Sequence, residues 1–465
     1  MNAGYDLAVI GGGIAGLAIA EIFARSGWSV ALLERNGLLC QEASAAQHGW
    51  FHFGSLYSIF PKNVFLRTMV RGVENLLEYY RGFPGMNLVV ERNGRLVVAE
   101  RDDGWFRPDP IEYIVSARND PDFDLRNFDG VGNYAKKLGY LLTWEMAIKQ
   151  FISRHQRFKN FDWRSGRSAS AWIPKAGFSD YSREVITKPD YPDIALDRDT
   201  HFRVVGYDHP MRASVIVGDL VASLLGAGGH VLTEFEVVRA EKRGGGFVLH
   251  RGDGVRVHAR RVVFAAGQWL GRFLPRARDV RIVASPLAVT YPALCARNFV
   301  RMTPFVKNSI NHLVHEVGGL RYSVIGGGYF ADPEDTQGLE TARTQLLQMI
   351  EKVFPQVSLA AVLETYVGFK TEVIGPRDER NYQFTFREIE EGAFAAVPGK
   401  FSLAFSLAAT AFRQIAKAEP QSKVGPMAMV AAAQLVGQTR HAAIVASRAG
   451  TARPRSPGHR LHRAC

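Results

Sequence analysis

Residues Tyr5–Glu34 read YDLAVIGGGIAGLAIAEIFARSGWSVALLE, and this stretch decides the fold. YDLAVI is a short apolar run of strand character. Gly11, Gly13 and Gly16 follow at once in the spacing GxGxxG, and LAIAEIFARSG continues with helical periodicity. Gly27 closes that helix, and Ser29–Leu33 reads as a second strand ending at Glu34. Strand, glycine turn, helix, strand and acid is the order that binds a dinucleotide. Gly11 permits the tight turn, Gly13 lets backbone approach a pyrophosphate, and Gly16 allows the helix to pack closely on the strand. The helix N-terminus offers free N–H groups and the positive end of its dipole to the phosphates. Glu34 is placed to accept hydrogen bonds from both ribose hydroxyls and would repel a 2′-phosphate.

The rest of the chain sets bounds on this reading. At 465 residues, two lobes are expected. Hydrophobic residues at 47% and charged residues at 22% are ordinary for a soluble globular protein. The three cysteines, Cys40, Cys295 and Cys465, are far apart and never in CxxC spacing. That argues against a disulfide framework or a metal site and fits a reducing cytoplasm. The apolar N-terminal run is broken by glycines and carries Glu21, so neither a signal peptide nor a membrane span is expected. The formal charge of +12 is mainly a tail property. No acidic residue follows Glu419, whereas Lys423, Arg440, Arg448, Arg453, Arg455, Arg460 and Arg463 do. From about Ser447 the chain is rich in Arg, Pro, Gly and Ser and reads as disordered. Nucleic acid is therefore not an expected partner; the tail reads as solvated, with peripheral contact to an anionic membrane as the alternative.

Three features favour FAD over NAD. The fingerprint begins almost at residue 1, leaving a large chain to hold a long cofactor. Arg261–Gly267 (RVVFAAG) is an apolar strand ending in small residues, suited to bring Ala265, Ala266 and Gly267 beside a bound nucleotide. Upstream, VLTEFEVV (Val231–Val238) reads as one strand offering backbone at Val237 and Val238 to the adenine, after a helix from Met211 to Leu225.

These elements resemble the D-amino-acid-oxidase superfamily of FAD-dependent oxidoreductases. The similar motifs are GGGIAG and LLER (ending in Glu34 and Arg35) near the N-terminus, FAAGQWLGRF in the middle and VPGKFSLAFSLAA near the C-terminus. They cover residues 1 to about 418, with 83–200 matching loosely. The resemblance implies an α/β fold: a Rossmann-like FAD-binding domain assembled from discontinuous segments (1–82, 204–285 and 365–420), and a sheet-based, α+β substrate domain from 83–203 and 286–364. Residues 421–465 remain as a C-terminal helix and the basic tail. The stretch PMAMVAAAQLVG there reads as a surplus core helix rather than an interfacial one.

Gln47–Tyr57, QHGWFHFGSLY, crowds two imidazoles and four aromatic rings into eleven positions. In the glycerol-3-phosphate and L-2-hydroxyglutarate dehydrogenases of the superfamily a His-x-Gly-x-x-Tyr pattern follows the second strand and ends beside the isoalloxazine. His52, Gly54 and Tyr57 match it, with Ser44 upstream where a phosphate-contacting hydroxyl is expected. Moving a hydride from an alcohol carbon to flavin requires that the hydroxyl proton leave too, and a neutral imidazole is suited to take it. His52 is the expected base and His48 the weaker candidate; Trp50, Phe51 and Phe53 are expected to exclude water. In some relatives a histidine of this region carries the flavin covalently.

ETYVGFK (Glu364–Lys370) resembles the family strand aromatic-x-Gly-x-Arg, whose arginine grips a substrate carboxylate. Lys370 keeps the charge and loses the bidentate fork. It is the expected anchor, with Arg377 and Arg380 as weaker candidates. VPGKFSL (Val397–Leu403) opens a helical run to about Ala416, and by resemblance Gly399, Lys400 and Phe401 sit at the flavin N1/O2 edge. The helix end there would stabilise reduced flavin.

Rival classes are less well supported. IGGGY (Ile325–Tyr329) imitates a second nucleotide site but runs into ADPEDTQG, so Gly326–Gly328 reads as a loop and no disulfide reductase is indicated. A hydroxylase would carry Gly-Asp where VPGKF stands; Gly218-Asp219 lies inside a helix. The reading is a flavin-dependent dehydrogenase or oxidase acting on a C–OH bond of a small polar molecule (hydroxy acid, polyol or sugar-like). Its electrons would pass to oxygen, a quinone or a partner protein. An amine or amino-acid oxidase is the alternative, and a flavoprotein without turnover the third.

Overall fold

A computed structural model describes residues 4–59, 63–116, 142, 144, 146–154, 161–164, 201–273, 279–303, 309–374, 380–381 and 383–449. Arg377, most of the aromatic insertion and the tail from 450 lie outside the described residues.

Two eight-stranded sheets organise the chain. The first is built on β1 (Tyr5–Ile10), whose neighbours are β2 (Val30–Leu33) and β12 (Arg256–Phe264), both parallel to it. β9 (His230–Leu232) extends it beyond β2. The first half of β12 pairs with the meander of β10 (Val237–Arg243) and β11 (Gly246–Arg251), and its second half with β20 (Ala393–Val397), which pairs in turn with β19 (Thr385–Glu390). Leu7, Leu32 and Val263 have no exposed surface, because helices cover the parallel centre. α1 (Ile14–Arg25) is buried on every side, between α3 (Ala213–Gly226) and α5 (Ala404–Ala416). Its one charged pair is satisfied inside: Arg25 Nε lies 2.6 Å from Glu21 Oε1, to which Ser223 Oγ also donates at 2.7 Å.

The second sheet runs in the order β18 (Arg380–Asn381), β17 (Val362–Ile374), β13 (Val280–Thr290), β16 (Leu320–Gly327), β15 (Ile310–Val317), β14 (Phe299–Met302), β6 (Glu112–Ser116) and β7 (His201–Val205). α4 (Thr336–Val353) packs its apolar stripe, Ala342, Leu346, Met349, Ile350 and Val353, against one face. Two small ladders, β3 (Trp50–Phe51) with β8 (His209–Pro210) and β4 (Leu88–Val90) with β5 (Leu96–Val98), complete the strands, and α2 (Asn63–Asn75) lies against α5.

Several expectations are corrected here. The borders at 285 and 365 fall inside β13 and β17, which pair from Val280↔Val373 to Thr290↔Val362, so 280–285 and 365–374 run in the second sheet. Val231–Val238 is two strands, not one: Glu234 takes a left-handed conformation (φ 53°), and the break lets Phe235 N bond Glu34 O. Gly326 and Gly327 are not a loop but the end of β16, held by the ladder to Leu287 and Ile310.

The C-terminal segment also differs from its reading. PMAMVAAAQLVG forms only a five-residue helix, α6 (Met429–Ala433), in which Ala432 alone is buried and Val430 is exposed. Tail residues Ser447 and Arg448 belong to a second helix, α7 (Arg440–Ala449), whose His441, Ile444 and Val445 are buried against the second sheet. The spacing of these three residues gives one helical face, which the polar composition conceals.

Candidate active site

A cleft, open to solvent at its mouth, lies between the carboxyl ends of β1, β2 and β12 and one face of the second sheet. Ligands bind parallel sheets at that end. Ile10, Leu33 and Ala265 mark the strand ends, and Ser285, Asn311 and Lys370 come from the facing sheet.

At the nucleotide end the local geometry follows from the glycines. Gly11 adopts φ 106°, and a Cβ there would stand 2.6 Å from Ala265 O. A Cβ on Gly16 would stand 1.9 Å from Gly11 O, so only glycine lets α1 approach the turn. Gly13 opens α1 with no side-chain cap and no acid in the first turn, leaving the helix end available to an anion. Ser44 Oγ accepts from Ile14 N at 3.0 Å, which places its hydroxyl at that same end. Glu34 is 7% exposed, and its carboxylate is fixed by Gly12 N (2.7 Å) and Asn36 N (2.8 Å). Arg35 and Arg272 bracket the Trp269 ring, with guanidinium carbons 4.4 and 4.5 Å from its centroid. Val237, Ala266 and Gly267 line this end, and Gly399, Lys400 and Phe401 line the cleft ahead of α5.

At the other end, the short strand Trp50–Phe51 sends successive side chains to opposite sides. His48, Trp50 and His52 form a row of rings along the wall, with centroids 5.7 and 4.3 Å apart. Phe51 and Phe53 point the opposite way, onto Phe106, and so belong to the core of the first lobe rather than to the water-excluding wall expected of them. Tyr57 meets the edge of the His52 ring at 5.4 Å.

His52 Nδ1 lies 3.6 Å from Oδ2 of Asp208, a close polar contact longer than a formed hydrogen bond. Asp208 has no exposed surface and accepts five hydrogen bonds: from Trp50 Nε1 (3.0 Å), Tyr113 OH (2.7 Å), and the backbone N–H groups of Phe53 (2.8 Å), Gly54 (3.0 Å) and Ser55 (3.2 Å). Burial alone would raise its carboxyl, but His52, Tyr113 and these donors hold it below the usual carboxylate range. Burial pushes the His52 imidazole down to about 4, assisted by Lys400 and Lys370 and opposed by Asp208. Burial likewise pushes His48 well below its ordinary value, with Lys370 nearby reinforcing the effect. Both imidazoles are neutral at pH 7.

Lys370 sits mid-strand on β17 and projects into the cleft, its Nζ 5.2 Å from the Phe330 centroid. Arg380 forms the short edge strand β18. A Cβ on Gly368, two residues before Lys370, would stand 2.9 Å from Ala46 O, so that glycine lets the cleft wall meet the sheet. Asp208, Asn311, His315 and His441 were not found from the sequence, since each sits in a stretch without any local signature. Besides His52 Nδ1, four cleft-lining side chains keep a buried polar atom with no partner among the described residues: Gln47 Nε2, His48 Nδ1, Trp269 Nε1 and Asn311 Oδ1. A bound group would satisfy them. The glycine cradle, the open helix end and the fixed carboxylate fit a dinucleotide.

The family model for FAD dependent oxidoreductases, DAO, matches residues 6–125 and 210–455. The chain belongs to this family. It is an FAD-dependent oxidoreductase acting on a small molecule, and its cofactor is FAD. No curated protein matches the sequence. Among solved structures, L-α-glycerophosphate oxidase from Mycoplasma pneumoniae, with FAD bound, is 14% identical over 90% of this chain and 97% of its own (TM-score 0.60). L-proline dehydrogenase from P. horikoshii is 15% identical over 91% and 96% (TM-score 0.57), and glycine oxidase from Geobacillus kaustophilus 15% over 89% and 95% (TM-score 0.52). At these identities the likeness is one of fold. Among the described residues of the enzyme no helix is long and apolar enough to cross a membrane.

Proposed function

We propose that this enzyme oxidises a C–OH bond of a small anionic molecule, with His52 as proton acceptor and Lys370 as anchor. The single observation that carries the reading is the buried Asp208 carboxylate behind His52, at the cleft end away from Glu34. Bound FAD supplies the hydride acceptor. Its pyrophosphate would lie on Gly11, Gly13, Ser44 and the N-terminus of α1, with Gly16 allowing that turn. Glu34 would hold the ribose, and Arg35, Val237, Ala266 and Gly267 the adenosine; Gly399, Lys400 and Phe401 would meet the flavin.

Asp208 faces Nδ1, and its negative charge favours the neutral tautomer with the proton on that atom. Nε2 is then the basic nitrogen and takes the substrate hydroxyl proton as the carbon gives up its hydride, leaving a carbonyl product. Trp50, packed at a tilt against His52 and tied to Asp208, restrains rotation of the ring. Electrons would leave to oxygen, a quinone or a partner protein.

Charge favours this reading over the oxidation of amines. The lining carboxylates Glu34, Glu42 and Glu236 stay at the nucleotide end, where Glu42 pairs with Arg35 and Gln268, and Glu236 with Arg272. The wall around His52 carries His48, Lys370 and Lys400, which suit a carboxylate or phosphate better than an ammonium group. The amine or amino-acid oxidase remains the second reading, favoured by the fold shared with glycine oxidase. Anaerobic mixing of the yellow enzyme with hydroxy acids, phosphorylated and free polyols, sugars and amino acids tests it. Bleaching by a hydroxyl compound supports the proposal, and bleaching by amines alone overturns it.

A further inference from the structure

The row His48–Trp50–His52 is held at its rear by Asp208. Its front is held by residues that the mechanism does not use. His315 Nε2 donates to the carbonyl oxygen of His48 at 2.9 Å. The same ring packs on Gly49, where a Cβ would stand 2.2 Å from His315 Cε1, and Gly49 adopts φ 88°. Residue 49 is therefore glycine because an imidazole occupies the space of its side chain. His315 forms a three-ring cluster with Tyr322 and His441, its ring centroid 5.7 and 4.7 Å from theirs, and those two rings lie 5.7 Å apart. His441 comes from α7, and its Nδ1 pairs with Tyr322 OH at 2.7 Å and Thr439 Oγ1 at 3.2 Å. One residue before it, Arg440 N donates to Ala45 O at 3.0 Å, on the segment that carries Ser44. The C-terminal helix thus grips the cleft wall at two points.

We propose that His315 and His441 are positioning residues, which fix the His48–Gly49 turn and through it the line of rings facing the flavin, and that α7 is part of the active site. Both imidazoles are buried, neither lines the cleft, and burial pushes both below their ordinary values, so they act as uncharged spacers rather than acids. His315 must carry its proton on Nε2 to bond the His48 carbonyl, which fixes its tautomer.

The inference rests on the FAD cleft and not on which bond is oxidised, so the test needs no substrate. Sulfite adds its sulfur lone pair to oxidised flavin and bleaches the visible band with no other reactant. The FAD-loaded enzyme and its His315→Phe, His315→Gln and His441→Phe variants are titrated with sodium sulfite. At position 315 Phe keeps an aromatic ring, slightly larger than imidazole, and cannot donate to His48; Gln restores an N–H donor. The expected result is sulfite binding weakened about five-fold in both Phe variants, the size of one hydrogen bond, with His315→Gln recovering at least half of that loss. A merely structural role would lower the melting temperature and leave the sulfite constant of the folded holoenzyme unchanged. Constants within about two-fold of the parent in both Phe variants overturn the proposal. If those variants do not hold FAD, Tyr322→Phe decides, since it removes only the hydroxyl bonded to His441. A shift of about three-fold supports the proposal, and an unchanged constant overturns it. A failed substrate screen beside shifted sulfite constants would discard the C–OH reading and keep this one.

Discussion

His52 Nδ1 stands 3.6 Å from Asp208 Oδ2, and Asp208 is held by five donors drawn from Trp50, Tyr113 and the turn after His52. The proposed base thus faces a carboxylate that is itself held firmly in place. Replacing His52 by Asn should leave FAD bound and slow flavin reduction by about 10²–10⁴-fold, the usual worth of a positioned base. Stopped-flow reduction at saturating substrate measures it, and an unchanged rate would remove His52 from the mechanism.

Asp208→Asn should slow the same step by about 10²-fold, because an amide no longer holds the His52 proton on Nδ1. It should also cost about 1–3 kcal/mol of stability, since an amide NH₂ must face either the Tyr113 and Trp50 donors or three backbone N–H groups. Denaturant unfolding beside the kinetics separates the two effects. A variant that is stable and fast would show that Asp208 serves neither role.

Lys370 is proposed to act in binding. Lys370→Gln should raise KM for an anionic substrate about ten-fold or more and change kcat little. A fall in kcat at constant KM would place Lys370 in the chemical step instead.

Gly16→Ala forces a methyl group into the space that Gly11 O occupies. FAD affinity should fall about ten- to hundred-fold, as expected for overpacking of a tight turn. The ratio of visible to ultraviolet absorbance of the purified protein reports it; full occupancy would contradict the cradle assigned to these glycines.

Stability should fall on mild acidification. Burial lowers His52, His209 and His312 to about 4 and His441 to about 3, from an ordinary 6.5. Above pH 6.5 these rings are neutral in both the folded and the unfolded chain, and stability is complete. Below it the unfolded chain takes up protons that the folded one refuses, so stability is lost as pH falls towards the folded values. Each ring contributes up to about 1.4 kcal/mol per pH unit in that window. Melting temperatures recorded from about pH 7.5 down to about 5 should drop steeply, and a flat profile would mean that the rings are not buried in neutral form.

The dinucleotide half of the molecule was legible in the sequence because its parts are contiguous. Gly11, Gly13, Gly16 and Glu34 act through the turn, helix and strand they belong to, so spacing alone implies their geometry. Lys370 was legible for a similar reason, as one position of a strand motif. His52 was visible as a residue type, but its surroundings were not.

What only the tertiary structure decided is what lies behind those residues. Asp208 reaches His52 through the pairing of Trp50–Phe51 with His209–Pro210, and His315 reaches His48 through the second sheet. His441 arrives on a helix whose last three residues composition had marked as disordered tail. The sides taken by Phe51 and Phe53, and the membership of residues 365–374 in the second sheet, depended on which strand lay opposite. Strand register and helix docking are set by contacts between distant segments, and no local spacing encodes them. The sequence by itself determined the cofactor and the fold that carries it; the tertiary structure decided which buried groups stand behind the histidine proposed as base.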